Sequence, residues 1–116
     1  MGTSPYLAGH LKRIAEEEAR TQERLRVAQA KAEQIAMVLR KEFPGVEVVL
    51  FGSLATGQFE LDSDIDLAVK GLPEEHYLKA YGIAESIADP IKVDVVQLEF
   101  ARESLRSNIE RDGVIL

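Results

Sequence analysis

Phe51–Lys70, FGSLATGQFELDSDIDLAVK, is the stretch around which the chain is organised. It opens on Gly52-Ser53, passes through a turn-rich segment, and closes on Asp64-Ile65-Asp66 inside an apolar run. Strand alternation sets Asp64 and Asp66 on one face, with Ile65 and Leu67 on the other. Two carboxylates this close repel each other, and burial raises the cost unless a cation neutralises them. A hard divalent ion with oxygen ligands suits such a pair, and Mg²⁺ often combines one or two carboxylates with substrate phosphates. Where a strand gives way to a helix or turn, Gly52-Ser53 can aim backbone N–H groups and a hydroxyl at those phosphates. The stretch predicts a metal-triphosphate site.

Working outward, Val46–Phe51 is β-branched and partly alternating, a first strand. Ser53 to Gln58 reads as one or two helical turns, with Gly57 allowing a reversal. Asp64 to Lys70 is the second strand. Gly71-Leu72-Pro73 breaks the chain, and Glu74-Glu75 suit the first turn of a helix. Tyr77, Leu78, Tyr81, Ala84, Ile87 and Ala88 give that helix an apolar side. Ile91 to Leu98 is the third strand. A last helix is expected from about Phe100 to Arg111, with Leu105 and Ile109 inward and Asp112-Gly113 as its stop. Val114-Ile115-Leu116 can add an edge strand or dock on the core.

Upstream, Ser4-Pro5 is a good helix start and Pro44-Gly45 a strong stop. Between them Leu7, Leu11, Ile14, Glu18, Thr21, Leu25, Ala28, Ala32, Ile35 and Leu39 follow in steps of four and three. That is a heptad seam with polar interruptions at Glu18 and Thr21. A helix of roughly 35 residues would be about 50 Å long, more than a small domain is wide. Leu25 to Leu39 can pack on the sheet, so the other end must project or bend back near the polar break. It is either a plain solvated helix or an arm for self-association or a partner.

One domain is expected of 116 residues, divided as a long N-terminal helix over 1–45 and a catalytic unit over 46–116. The absence of cysteine excludes disulfides, thiolate metal sites and a cysteine nucleophile. No signal peptide or membrane-spanning stretch is evident, so a cytoplasmic protein is expected. The net charge of -6 is uneven: residues 1–45 hold 8 Lys/Arg against 6 Asp/Glu, residues 46–116 hold 6 against 14. A catalytic half at -8 disfavours unaided nucleic-acid binding, which needs a basic surface.

Gly-Ser, ten residues, Asp-x-Asp and an apolar tail together resemble the signature of the polymerase-beta-type nucleotidyltransferase superfamily, in its minimal single-domain branch. The resemblance spans roughly Val46 to Leu116. It implies an α/β (α+β) fold, a small mixed sheet with helices mainly on one face, carrying here a long N-terminal helix. It also implies a third carboxylate on a later strand, which makes Asp94 the candidate. Asp64, Asp66 and Asp94 would be catalytic and hold two Mg²⁺ ions, while Gly52 and Ser53 would bind the nucleotide. The implied reaction moves a nucleoside monophosphate, AMP from ATP by family habit, to a hydroxyl on a small helical HEPN partner, as the antitoxin of a toxin–antitoxin pair. The alternative is a non-catalytic subunit that neutralises such a partner by contact alone. A homo-oligomer through the N-terminal helix is a further expectation. Where many minimal members carry arginines after Gly-Ser, this chain has Leu54 and Thr56.

Other Asp-x-Asp enzymes fit less well. Metal-dependent glycosyltransferases are far larger, and haloacid-dehalogenase-type phosphatases need a doubly wound fold and a later lysine. A P-loop is excluded, because Gln58-Phe59 follows Gly57. Asp94, set among valines in an apolar strand, reads as a buried carboxylate and needs either the shared metal or an arginine as partner. Capping of the following turn is the plainer use of Ser53 and is compatible with phosphate contact; Asp62 and Ser63 read as turn and cap residues, and His10 and His76 as surface positions on helices. Lys70 and Lys92 stand near strand ends, within reach of phosphate or simply solvated.

Overall fold

The computed structural model describes residues 4–116. Helix α1, Pro5–Glu42, runs for 38 residues without a break. Ser4 caps it, its hydroxyl accepting from the Leu7 N–H at 3.1 Å, and Pro5 occupies the first turn as expected. Strand β1, Glu47–Phe51, leads into the one-turn helix α2, Gly52–Thr56. After β2, Ile65–Lys70, a 3₁₀ turn at Glu74–His76 opens α3, Tyr77–Ala88. Then come β3, Val93–Gln97, a 3₁₀ turn at Leu98–Phe100, α4, Glu103–Asp112, and the short β4, Val114–Ile115.

The four strands form one mixed sheet in the order β3-β2-β1-β4. β1 is antiparallel to β2 and β4, while β2 and β3 are parallel, joined through α3. Alternation divides the sheet cleanly. Val48, Leu50, Ile65, Leu67, Val69, Val93 and Val95 meet α1 and α3 in the main core. There α1 offers Ala28, Ala32, Ile35 and Leu39, and α3 offers Ala80, Ala84 and Ala88, small residues that let both helices lie close to the sheet. The opposite face carries a smaller cluster, Val49 and Ala68 under Ile109 of α4, with Phe51, Leu98 and Leu105 beside it. The mixed sheet covered mainly on one face is thus as anticipated.

Some boundaries and one helix face differ. β2 and β3 are shorter than expected, and the segment from Phe100 becomes helical only at Glu103, after the 3₁₀ turn. Leu78 points to solvent, 82% exposed, and the unforeseen Ala80 lies in the core. The cause is the rotation of α3. Tyr77 and Tyr81 reach over the free edge of β3, where their hydroxyls donate to the Val95 and Val93 carbonyls at 2.6 and 3.2 Å. These bonds cover edge groups that would otherwise face another strand. Lys31 of α1 donates to the Ala88 and Asp89 carbonyls, fastening the far end of α3.

Only the second half of α1 belongs to the core. Before Thr21 the helix stands in solvent, with Tyr6, Leu7, Leu11 and Ile14 all exposed, and the molecule measures 66 Å along its long axis. The helix projects rather than bending at Glu18 or Thr21. Burial predicts a matching asymmetry in stability. Leu67→Ala should cost about 3 kcal/mol in chemical denaturation, as for a fully buried leucine, whereas Leu11→Ala should stay within about 0.5 kcal/mol of the parent. Deleting residues 1–20 should leave the cooperative transition in place.

Candidate active site

The site begins at the end of β1. Phe51 is extended, and Gly52 turns the chain at φ +73°, a left-handed conformation that disfavours any side chain. A β-carbon there would also run into the Asp66 carboxylate. Glycine is required twice over, and its absence of side chain seats the backbone directly against Asp66. α2 ends at Gly57, again left-handed at φ +80°. The loop back to β2 is pinned by Phe59, buried in the main core beneath the Arg24 guanidinium, 5.9 Å from the ring centre. Ser63 closes a turn by accepting from the Glu60 N–H at 2.9 Å, which delivers Asp64 to the start of β2.

Sheet register then assembles the carboxylates. Phe51 pairs with Asp66, and Asp66 pairs with Asp94. Phe51, Asp66 and Asp94 thus lie across three neighbouring strands, spaced about 4.8 Å apart, with Gly52 directly following Phe51. Asp64, two residues before Asp66, shares its face. Asp66 is half-buried, while Asp64 and Asp94 are exposed. The expectation of a buried Asp94 is corrected: β3 is an edge strand, and its outer face opens to solvent at that point. No ion pair among the described residues involves any of the three aspartates, so Asp94 has no arginine partner.

The electrostatic result is a strained carboxyl. Burial, then the charge of Asp94, then that of Asp64, push Asp66 up from 3.8 to about 6. Tyr77 is also raised, by burial first and then by Asp94 and Tyr81. The three aspartates line one cleft of about 660 Å³ with Tyr81, Glu85 and Lys92. Gly52 and Ser53 open onto a second cleft of about 420 Å³, between α2 and α4, with Thr56, Asn108 and Arg111. Gly52 lines the second cleft and Asp66 the first, and a β-carbon on Gly52 would touch the Asp66 carboxylate.

Among the described residues no group of three or more His, Cys, Asp or Glu side chains is arranged to hold a metal ion. The donor set nevertheless fits Mg²⁺, which keeps water and phosphate ligands beside one or two carboxylates and needs no closed protein cage. A divalent cation would also relieve the repulsion that raises Asp66.

Other sequence expectations resolve as follows. No side chain caps α2, so Ser53 is not used in that way. Lys92 stands in the aspartate cleft, but Lys70 lines a different one with Glu99 and Arg106. His10 is exposed on the arm, whereas His76 is half-covered and stacks on Phe43 with ring centres 5.3 Å apart. Glu85 and Arg111 were not singled out, because only the packing of α3 and α4 brings them to the clefts. No helix among the described residues is long and apolar enough to cross a membrane.

Comparisons with known proteins identify the family and similar folds. A family profile described as "Polymerase beta, Nucleotidyltransferase" matches residues 33–116, leaving the projecting part of α1 outside it. Among solved structures, a toxin–antitoxin complex with AMP-PNP matches at 28% identity and TM-score 0.62, over 72% of this chain and 70% of that one. A mutant MntA–HpeT toxin–antitoxin complex matches at 30% identity and TM-score 0.60, over 72% and 69%. A tri-AMPylated Shewanella oneidensis HEPN toxin in complex with its MNT antitoxin matches at 26% and 0.58, over 76% and 70%. Among curated proteins nothing matches.

The raised Asp66 pKa fixes a pH dependence for the metal-free protein. Between 3.8 and about 6 the folded state holds this proton more tightly than the unfolded state does. The stability contributed by protonation is therefore full at low pH and is lost as pH rises through about 6. Asp66→Asn should raise the melting temperature with chelator present at about pH 8 and leave it nearly unchanged at about pH 4. Thermal scans at the two pH values check the sign.

Proposed function

The chain belongs to the polymerase-beta nucleotidyltransferase family, and from that we propose that it transfers AMP from ATP to a hydroxyl group of a HEPN-domain partner protein, acting as an antitoxin. The observation that carries the proposal is the side-by-side pairing of Asp66 with Asp94, with the Gly52 backbone packed on Asp66. The AMP-PNP complex and the AMPylated HEPN toxin among the similar structures support the nucleotide and the acceptor class.

Each residue has a stated task. Gly52 and Ser53 hold the β and γ phosphates through backbone N–H groups and the Ser53 hydroxyl. Asp64 and Asp66 would hold the cations that the triphosphate brings, and Asp94, on the outer strand, would complete the second ion's site on the side of the incoming acceptor. Two Mg²⁺ ions bound there would offset phosphate charge and orient the attacking and leaving oxygens. The acceptor oxygen forms a bond to the α-phosphorus, the bond from that phosphorus to the bridging oxygen breaks, and pyrophosphate leaves. Asp94 takes the acceptor proton. The acidic surface around the cleft, Glu85 and Asp89 included, favours a basic protein surface over a nucleic-acid backbone.

The same scheme divides the chain into a catalytic unit over 46–116 and an N-terminal segment over 1–45 that carries α1. The exposed seam of Leu7, Leu11 and Ile14 serves as a contact surface for the partner or a second copy of the chain. A second function, neutralisation by contact without catalysis, is favoured by one observation: Leu54 is buried and the Thr56 hydroxyl is tied to its own helix, so the turn supplies no cation.

Co-expression with the HEPN partner separates the two. Mass spectrometry of the partner should show added AMP, which falls to background with Asp64→Asn or Asp66→Asn, while Asp94→Asn slows turnover more than it weakens ATP binding. An unmodified but neutralised partner would favour contact alone, and nucleotides added instead to an RNA would overturn the protein acceptor.

A further inference from the structure

A metal-bound triphosphate set against three aspartates carries more negative charge than two divalent ions neutralise. Of the described residues lining the two clefts beside Gly52, two are cationic. Lys92 stands among the aspartates, and Arg111 stands in the cleft that Gly52 and Ser53 open onto. Leu54 and Thr56 contribute nothing, one being in the core and the other having a neutral hydroxyl bonded to the carbonyls of Gly52 and Ser53. We propose that Arg111 is the residue that grips the terminal phosphates of the nucleotide, from α4 rather than from the turn after Gly-Ser. The assignment rests on the nucleotidyl-transfer function proposed above and names the cation that function lacks.

The local geometry explains how α4 comes to serve this purpose. Ile109 and Leu105 seat it on Val49 and Phe51 of β1 and on Ala68 of β2. Asn108, Arg111 and Asp112, spaced three and four residues apart, share the flank turned towards α2. The guanidinium is already oriented: Nη2 donates to Asn108 Oδ1 at 3.1 Å and to Asp112 Oδ2 at 3.0 Å, and Nε donates to Asp112 Oδ1 at 3.2 Å. Nη1 makes no hydrogen bond among the described residues. An exposed ion pair such as Arg111–Asp112 is weak. A phosphate offers more charge and the same planar match to the guanidinium fork, so it can take over part of this contact. Asp112 stays as a competing carboxylate at the rim of the cleft.

Titration calorimetry with Mg-ATP and with Mg-pyrophosphate tests the assignment on four proteins: wild type, Arg111→Ala, Arg111→Lys and Asp112→Ala. Arg111→Ala should weaken both ligands by the same factor, roughly tenfold for a charge-assisted contact, and leave the melting temperature of the ligand-free protein unchanged. Arg111→Lys should recover part of the loss, and Asp112→Ala should tighten both ligands. Arg111→Ala binding ATP like the wild type would overturn the assignment, as would a loss that comes with a lowered melting temperature and no rescue by lysine. Asp66→Asn keeps the two proposals apart. If that variant loses AMP transfer while Arg111→Ala leaves ATP affinity intact, Arg111 alone is misassigned. If the wild type binds no Mg-ATP, the nucleotidyl-transfer function falls and the Arg111 assignment with it.

Discussion

Like charges brought together by strand register are the constraint around which this fold is arranged. Asp66 has Asp94 directly beside it on β3 and Asp64 two residues back, just before β2 begins, while Gly52 closes the space behind its carboxylate. Burial and the two neighbouring charges act in the same direction, and Asp66 rises to about 6. A fold concerned only with stability would separate these groups or pair them with arginines. Here the sheet is built so that they stay adjacent and unpaired, because the main core lies on the opposite face, under α1 and α3.

That division of labour between the faces places each functional group. One face of β2 is entirely apolar and fixes the strand register, since a slip by one residue would put Ile65 and Leu67 in solvent and the aspartates in the core. The other face is sparsely covered by α4 and leaves the site open. The tyrosine hydroxyls on β3 hold α3 at the sheet edge, so the same helix that completes the core also forms the wall of the aspartate cleft.

Much of this was legible in the residues. The Gly-Ser and Asp-x-Asp spacing marked β1, the turn and β2 because strand alternation and glycine's conformational freedom are local properties. The long helix was legible from Ser4-Pro5, Pro44-Gly45 and the seam between them. What escaped depends on tertiary placement. Leu78 looked like a core residue by helical spacing, yet the bonds made by Tyr77 and Tyr81 turn it outward. Asp94 looked buried among valines, but β3 is an edge strand and the position is open. Arg111 gave no signal at all, since only the docking of α4 brings it beside Gly52 and Ser53.

The central claim is that Asp64, Asp66 and Asp94 together hold divalent ions with a nucleoside triphosphate against Gly52-Ser53. Anomalous diffraction from crystals grown with Mn²⁺ and a non-hydrolysable ATP analogue tests it directly. The proposed chemistry predicts anomalous density among the three carboxylates, with the terminal phosphates lying against Gly52 and Ser53. Nucleotide bound elsewhere, or bound at Gly52-Ser53 with no metal density between the aspartates, would contradict it.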